Sequence, residues 1–313
     1  VSSIGLIGLG FDYEFKIFWR NKGFRKVLNL LPARSFDQGM DYVVSLMETN
    51  LASRMTEGTV RIFQQATTLH VVPINLIGVS ISTAAFPRLT ERLSENRIDL
   101  FKDELRSVIR AIIWLALPVA IITYFTRGYV VSFISHRGNS LMAGLLGVFA
   151  VAILFRCLYH ILARSFYAQQ DTKTPLYISI VAISLNVFLA IWFTFSLRYG
   201  SYGLAVAQAI VAIVEVVILF TMMEMRTPGV LNKYFWQGIL RMASAAGFMS
   251  IICYFMVHWL PFEAGARSLY EAVPKFIFIV LVSLSTYLMF SRLLQIKESE
   301  PVMRKLRKVF FRA

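Results

Sequence analysis

The chain contains 313 residues, of which 57% are hydrophobic and 16% charged, and its formal net charge is +14. Soluble domains carry about 25% charged and about 45–50% apolar residues, so a water-soluble globular enzyme is excluded. The composition, with a mean hydropathy of +0.62, predicts an all-α polytopic membrane protein. Cys157 and Cys253 both lie in apolar runs, which argues against a disulfide framework or a zinc site.

Apolar runs of about 20 residues, long enough to cross a bilayer as a helix, occur in close succession along the chain. We predict about eight spans, at residues 29–52, 63–87, 107–126, 141–164, 176–197, 203–223, 237–260 and 269–292. Residues 1–28 then form a lead-in and 293–313 a basic tail. Val1 is not a start methionine and no signal-peptide pattern follows it, so we expect the C-terminal part of a longer protein.

Most of the 32 Lys and Arg residues lie in the loops on one side of this alternation. The positive-inside rule therefore predicts that both ends of the chain are cytoplasmic. The basic tail is expected on an anionic leaflet, with anionic lipids as partners. Because the basic residues adjoin the ends of spans, nucleic acid is not expected as a partner. Segment 88–106 mixes charged and apolar residues at helical spacing and predicts a surface helix between the second and third spans.

The first span carries a polar stripe. At about 100° per residue, six polar side chains fall within one sector of the helix: Arg34, Asp37, Gln38, Asp41, Ser45 and Glu48. A charged side chain at mid-span costs about 2.5–3.5 kcal/mol on insertion scales, so the stripe indicates a hydrated cavity for a polar or charged cargo. The alternative is a structural ladder of ion pairs among Arg34, Asp37 and Asp41.

Other polar residues within the spans are few. Arg156 is expected either to hold a phosphate or to pair with a carboxylate of the first span. Asn186, Gln208 and Glu215 are candidates to join Glu48 around Na+ or a proton, although hydrogen bonding between helices is the simpler role for the two amides. No firm metal site is expected apart from a monovalent cation at Glu48, and no other cofactor is expected. His160 and His258 are expected to be ordinary histidines at interfaces, without a role in binding.

Catalytic motifs such as HExxH, GxSxG or a Walker loop do not occur in the sequence. A transporter needs none of them, because its work consists of binding and gating. The sequence therefore predicts a membrane transporter and no enzyme.

A longer stretch carries a resemblance to a known family. ARSFYAQQDTKTPLYISIVAISLN, residues 163–186, closely resembles the FYA…DTKTP…N signature of the lipid II flippases of the MurJ/MviN family. YGSYGLAVAQAI at 199–210 and VVPINLIGVSISTAAFPRLTERL at 71–93 are also similar to that family. LASRMTEGTVRIFQQATTL and the LPA at 31–33 fit its order. The match is collinear over roughly residues 15–225, and a match of this length is far more specific than any single motif.

Several residues of these motifs have an architectural interpretation of their own. Thr174 and Pro175 predict a capped start of the fifth span, Asp171 holds the turn before it, and Gly200 and Gly203 allow the next hairpin. Pro73 and Pro118 permit bends within spans. The residues that we assign to the structural motif are Phe166, Tyr167, Asp171, Thr174, Pro175, Gly200 and Gly203.

The resemblance implies a fourteen-helix flippase of the MOP exporter superfamily in the bacterial cytoplasmic membrane. Two six-helix lobes would surround a cationic cavity, and two C-terminal helices would form a groove for a lipid tail. The cargo would be the undecaprenyl-pyrophosphate-linked peptidoglycan precursor (lipid II), moved by alternating access. This chain would supply the second lobe, 29–223, and the two extra helices, 237–292, whereas the N-terminal lobe would lie outside it.

One position departs from the family pattern. Thr68 stands where the family typically has a cavity arginine, and the first span is more acidic through Asp37 and Asp41. These changes weaken the attraction for pyrophosphate by Coulomb repulsion, and Arg34 is expected to supply a cation from the neighbouring helix. The alternatives are an exporter of another polyprenyl-linked glycan or of cationic compounds, and a membrane scaffold that does not transport.

Overall fold

The computed structural model describes Gly39 and residues 42–135, 139–261 and 269–304, and all regular elements among them are helices. The α-helices are α1 (residues 42–53), α2 (Thr59–Pro73), α3 (Ser80–Ser94), α4 (Ile98–Phe125), α5 (Arg127–Ser132), α6 (Ser140–Ala168), α7 (Lys173–Ile191), α8 (Ser201–Arg226), α9 (Lys233–Trp259) and α10 (Leu269–Leu293). Ile74–Val79 and Trp192–Ser196 are π-helical, and Lys297–Ser299 forms a 3-10 turn. Several predictions lie outside the described residues: the lead-in 1–28, Arg34, Asp37, Gln38, Asp41 and the end of the tail.

Seven helices within the described residues are long and apolar enough to cross a membrane. Each overlaps one of the spans predicted from residue 63 onward, and α2, the first π-helical segment and α3 together form one of the seven. The span predicted at 29–52 is described only near its end, which is helical. The all-α polytopic class is therefore confirmed.

Helix α6 lies at the centre of the bundle and packs against α2, α4 and α8. Its buried residues lie on all sides of the helix, as expected for a helix enclosed by others. A Cβ atom on Gly78 would lie only 2.7 Å from the Cα atom of Cys157. The absence of a side chain at Gly78 therefore lets the first π-helical segment approach α6 at backbone distance.

The first π-helical segment follows directly after Pro73. Proline lacks the N–H that continues an α-helical ladder, and π-helical turns frequently occur at functional sites. Arg164 of α6 donates a hydrogen bond to the carbonyl of Val79 at 3.0 Å and also contacts the hydroxyl of Thr83. The end of this irregular segment is thus tied to the central helix. Pro118, in contrast, is accommodated within the continuous helix α4.

The prediction of a surface helix over residues 88–106 is wrong. The segment is divided by a turn with Asn96 at a φ of 55°, and its two halves are the end of α3 and the start of α4. Asparagine tolerates the left-handed conformation that this reversal requires. Leu89 is fully buried in the core, and Arg88 pairs with Glu104 at 3.2 Å across the turn. The apolar residues of the segment therefore pack helix against helix.

The start of α7 differs from the predicted cap. The Asp171 carboxylate, through Oδ1, accepts hydrogen bonds from the backbone N–H groups of Lys173 and Thr174 at 3.0 and 3.1 Å. The Thr174 hydroxyl donates to the other oxygen of Asp171 at 2.6 Å. Asp171 therefore caps the helix, because a carboxylate two residues before the first turn reaches more of its free N–H groups than the Thr174 hydroxyl does. Pro175 lies within the first turn, where its missing N–H costs little.

Asp171 also forms an ion pair with Arg226 at the end of α8. Burial by itself would raise the pKa of Asp171, but hydrogen bonds from Thr174 and the neighbouring Arg226 guanidinium hold that pKa below its ordinary value. The side chain thus joins the α6–α7 turn to α8.

We expect the substitution Asp171→Ala to lower the free energy of unfolding by about 1–2 kcal/mol, the usual cost of losing a helix cap. Since the pKa is depressed in the folded state, the electrostatic contribution is fully present above the ordinary aspartate pKa of about 3.9. It is lost as the pH falls through the lower folded-state value. Thermal unfolding in detergent across this pH range measures the effect. Asp171→Asn keeps a hydrogen-bond acceptor and should lose only the pH-dependent part of the stabilisation. If the wild-type protein stayed more stable than Asp171→Asn by the same amount in strong acid, this assignment would be contradicted.

The hairpin between the second π-helical segment and α8 depends on two glycines for different reasons. Gly200 has a φ of +56°, which favours glycine. At Gly203, a Cβ atom would lie 2.7 Å from the backbone nitrogen of Thr194. Gly203 therefore permits the close contact of the two helices.

Helices α9 and α10 pack against each other and contact the rest of the bundle through α4 and α5. Arg106 of α4 donates to the carbonyls of Val230 and Gly229 at 3.1 and 2.8 Å, which fixes the α8–α9 connection. Trp114 of the same helix donates to Ser291 Oγ at 3.2 Å. The division into a lobe at 29–223 and two extra helices at 237–292 stays a prediction.

Candidate functional site

A cavity of about 600 Å³ lies between α1, α2, α6, α7 and α8. The described candidates for cargo and ion binding all line it, although they come from five different helices. These residues are Glu48, Thr68, Arg156, Asn186 and Gln208, together with Glu215. Whether they bind cargo or ions stays a prediction, but the fold brings them to one place.

Glu48 and Gln208 form the first polar contact of the cavity. The Gln208 Nε2 atom lies 2.6 Å from each carboxylate oxygen of Glu48. Glu48 is only 4% exposed, so the amide replaces water as a hydrogen-bond donor to a carboxylate that is costly to bury. This contact joins α1 to α8.

Arg156 and Glu215 form the second contact. The Arg156 Nη1 atom lies 3.2 Å from Glu215 Oε2, and Glu215 is 4% exposed. The first-span carboxylates Asp37 and Asp41 lie outside the described residues, and among the described ones the ion-pair partner of Arg156 is Glu215 on α8. Since the Arg156 side chain is 28% exposed, the guanidinium still borders the cavity.

Two buried polar atoms that border the cavity have no hydrogen-bond partner within the described residues: Asn186 Oδ1 and His70 Nδ1. Asn186 is 3% exposed, and the His70 ring stacks on Phe149 with 4.5 Å between ring centroids. Buried polar atoms are nearly always satisfied by protein or ordered water. Because both atoms lie just below the cavity surface, a small movement of either side chain would be needed for contact with a water or a ligand.

Thr68 lies on the exposed side of α2 and its hydroxyl donates to the Gln64 carbonyl at 2.9 Å. The threonine thus borders the cavity with its hydroxyl directed to its own helix. His160 also lines the cavity, whereas His258 stacks on Tyr254 at the end of α9. His70 also lines the cavity and was not among the predicted site residues, although a histidine within an apolar span is a signal that could have indicated it.

The residues of the FYA…DTKTP motif lie apart from the cavity. Phe166 is 1% exposed and belongs to the main hydrophobic core. Asp171 and Thr174 form the cap of α7. Their positions agree with an architectural role, and none of the three is among the residues that line the cavity.

Comparison with known proteins identifies the family. The profile described as "Lipid II flippase MurJ" matches residues 2–274. A probable lipid II flippase MurJ of Thermotoga maritima is 23% identical over 290 residues, which is 91% of this chain and 56% of the relative. A second, from Haemophilus influenzae, is 29% identical over 223 residues, 64% of this chain and 41% of that protein. The chain thus spans about half the length of the curated relatives it matches.

Solved structures show the same fold. A lipid II flippase MurJ in an inward closed conformation matches with a TM-score of 0.67 and 20% identity, over 93% of this chain and 58% of that one. An outward-facing MATE family multidrug resistance transporter of the MOP superfamily matches with a TM-score of 0.57 and 11% identity, covering 88% of this chain and 66% of that one. With a family profile that matches most of its length, this chain belongs to the lipid II flippase MurJ family, whose named members are transporters and not enzymes.

Proposed function

We propose that this chain is the C-terminal part of a flippase that moves a lipid-linked peptidoglycan precursor across the bacterial cytoplasmic membrane by alternating access. The observation that carries the proposal is the cavity, in which Arg156, Glu215 and Glu48 lie together among apolar helices. Charged groups within a membrane bundle are costly and typically mark the route of a substrate or ion. A partner lobe would close the open side of this cavity.

Arg156 is the group in the described part of the cavity that is suited to a pyrophosphate. A guanidinium binds phosphate oxygens with paired N–H donors. Its ion pair with Glu215 would hold it in position between transport cycles. Binding of a pyrophosphate would then compete with Glu215 for the same N–H groups.

The contact between Glu48 and Gln208 supports coupling to Na+ or H+. The Glu48 carboxylate is buried, and it borders the same cavity as the unpartnered Oδ1 atom of Asn186. Carboxylate and amide oxygens are ligands for hard cations, and a buried carboxylate also suits proton transfer. Exchange of the Gln208 amide for a cation at Glu48 would alter the contact between α1 and α8.

A second candidate function is the export of a cationic compound. The described cavity lining contains two carboxylates, Glu48 and Glu215, and one guanidinium, Arg156, so the formal charges sum to a negative value. Such a lining attracts cations more than pyrophosphates. Accumulation of a fluorescent cationic dye in cells with and without the protein distinguishes this function from flipping of lipid II.

The test is growth of a bacterial strain depleted of its own flippase and supplied with the complete gene that encodes this chain. We expect the wild-type gene to support growth and Glu48→Gln to abolish it, because the variant removes the charge to which a cation or proton binds. Glu91→Gln is the matched control, since Glu91 is an exposed carboxylate near the end of α3 outside the cavity.

Membrane levels of each variant, measured by immunoblotting, show whether a failure to grow reflects loss of the protein. Growth with Glu48→Gln equal to that with Glu91→Gln would contradict the proposed coupling. A wild-type gene that neither supports growth nor changes dye accumulation would favour a scaffold without transport.

A further inference from the structure

A second cavity, of about 460 Å³, lies at the end of the bundle where α9 begins and α10 ends. Gln295, with a φ of 52°, ends α10, and the Ile296 N–H donates to the Ser291 carbonyl at 2.9 Å. The chain then folds back under α4 with Ile296 buried in the core. The start of the predicted tail is therefore packed against the bundle and forms one wall of this cavity.

An ion pair fixes the fold-back. Arg110 of α4 contacts Glu298 through Nε to Oε1 at 2.6 Å and Nη2 to Oε2 at 3.1 Å. Both side chains are largely buried, at 12% and 11% exposure. A Cβ atom on Gly238 would lie 2.6 Å from the Arg110 guanidinium carbon, so α9 is shaped to admit this side chain. The charge of Arg110 is thus compensated within the protein.

Two other cations that line the cavity are not compensated in this way. Arg241 donates to the Leu294 carbonyl at 3.4 Å, and the Lys297 ammonium lies 5.7 Å from the centre of the Tyr234 ring. Neither has a carboxylate within 4.0 Å among the described residues. The one carboxylate in the lining, Glu300, pairs with Arg304 at 3.4 Å. The cavity therefore presents two free positive charges beside a compensated ion pair.

The surroundings place this cavity at the level of lipid headgroups. Tyr234 and Trp236, in the first turn of α9, are 65% and 54% exposed, and aromatic residues of this kind gather at membrane–water interfaces. Beyond them α9 continues as an apolar span. Basic pockets between helices at such a position bind anionic headgroups.

We propose that Arg241 and Lys297 bind the phosphate of an anionic phospholipid headgroup in this cavity. The two cations supply N–H donors from α9 and from the segment that follows α10, and the amide of Gln237 adds a neutral donor in the same lining. The acyl chains would lie along the exposed apolar side of α9, which includes Leu240. The bound lipid would hold α9 and the fold-back together.

The test uses the complete gene product, purified in neutral detergent. It is titrated with phosphatidylglycerol or phosphatidylcholine, and lipid binding is measured by native mass spectrometry. We expect each of Arg241→Gln and Lys297→Gln to weaken phosphatidylglycerol binding about tenfold, since each removes a charged hydrogen-bond donor. Phosphatidylcholine binding should be unchanged. Arg292→Gln is the matched control, because Arg292 is exposed at the end of α10 but does not line the cavity.

A separate titration with inorganic phosphate distinguishes a lipid headgroup from a free anion. Phosphate binding that depends on Arg241 and Lys297, without a matching effect on phosphatidylglycerol, would overturn the lipid assignment. Equal phosphatidylglycerol binding by both variants and by Arg292→Gln would overturn the site itself. The thermal unfolding temperature of lipid-free variants shows that each folds. Because the measurement involves no transport, its outcome is independent of the proposed flippase activity.

Discussion

Replacing Arg156 with methionine should lower the free energy of unfolding by about 3–5 kcal/mol, the cost of removing one member of a buried ion pair. Glu215 is only 4% exposed, at a site that it now shares with the guanidinium. A carboxylate in such surroundings has lost its hydration and would lose its charged partner as well. Thermal unfolding in detergent measures the change. An Arg156→Met variant that unfolds at the wild-type temperature would contradict the structural role of the pair.

The double variant Arg156→Met/Glu215→Met separates structure from function. With both charges removed, stability should return to near the wild-type value, because replacing a complete buried pair by apolar residues is often neutral or stabilising. If Arg156 also binds the cargo, the double variant should be stable but fail to support growth of the flippase-depleted strain. Growth equal to wild type would mean that the pair serves only to hold α6 to α8.

The second large effect is expected from Gly203→Val. A Cβ atom at this position would lie 2.7 Å from the Thr194 nitrogen and 2.8 Å from the Phe193 carbonyl carbon. Overpacking typically costs about 1–3 kcal/mol, and we expect the upper end because both neighbours are backbone atoms that cannot adopt another rotamer. A lower thermal unfolding temperature in detergent is the expected result.

Gly247 provides the matched control for this substitution. It lies in α9, and a Cβ atom there would meet no heavy atom within 4 Å. Gly247→Ala should leave stability unchanged or raise it by about 0.5–1 kcal/mol, because alanine loses less conformational freedom than glycine in a helix. If Gly203→Val and Gly247→Ala behaved alike, the close approach at Gly203 would not limit the packing of these helices.

The helical class and the positions of the spans were accessible from sequence because hydropathy is a local property. A run of about 20 apolar residues has few alternatives to a membrane helix, and seven such runs are found in helices. Segment 88–106 was predicted wrongly for a related reason. Its alternating charges describe a helix surface, but the turn at Asn96 and the burial of Leu89 depend on which helices lie beside it.

The site was only partly accessible from sequence. Glu48, Arg156, Asn186 and Gln208 stood out because polar groups are costly within apolar spans, and all four line one cavity. Gln208 was a stated candidate to join Glu48, 160 residues away. The ion pair of Arg156 with Glu215, 59 residues along the chain, was not predicted, because a carboxylate of the first span was expected in that place. A helix period relates residues three or four apart, and it says nothing about contacts between helices.

The sequence by itself determined that the charge of +14 belongs to a membrane protein whose basic residues adjoin the ends of spans. Only the tertiary structure decided which of those charges are compensated. Arg110 is neutralised by Glu298 and Arg156 by Glu215, whereas Arg241 and Lys297 form no ion pair within the part of the chain that the structure describes. The physical reason is that hydrophobicity acts on each segment separately, while the partner of a charge depends on the packing of helices that are distant in sequence.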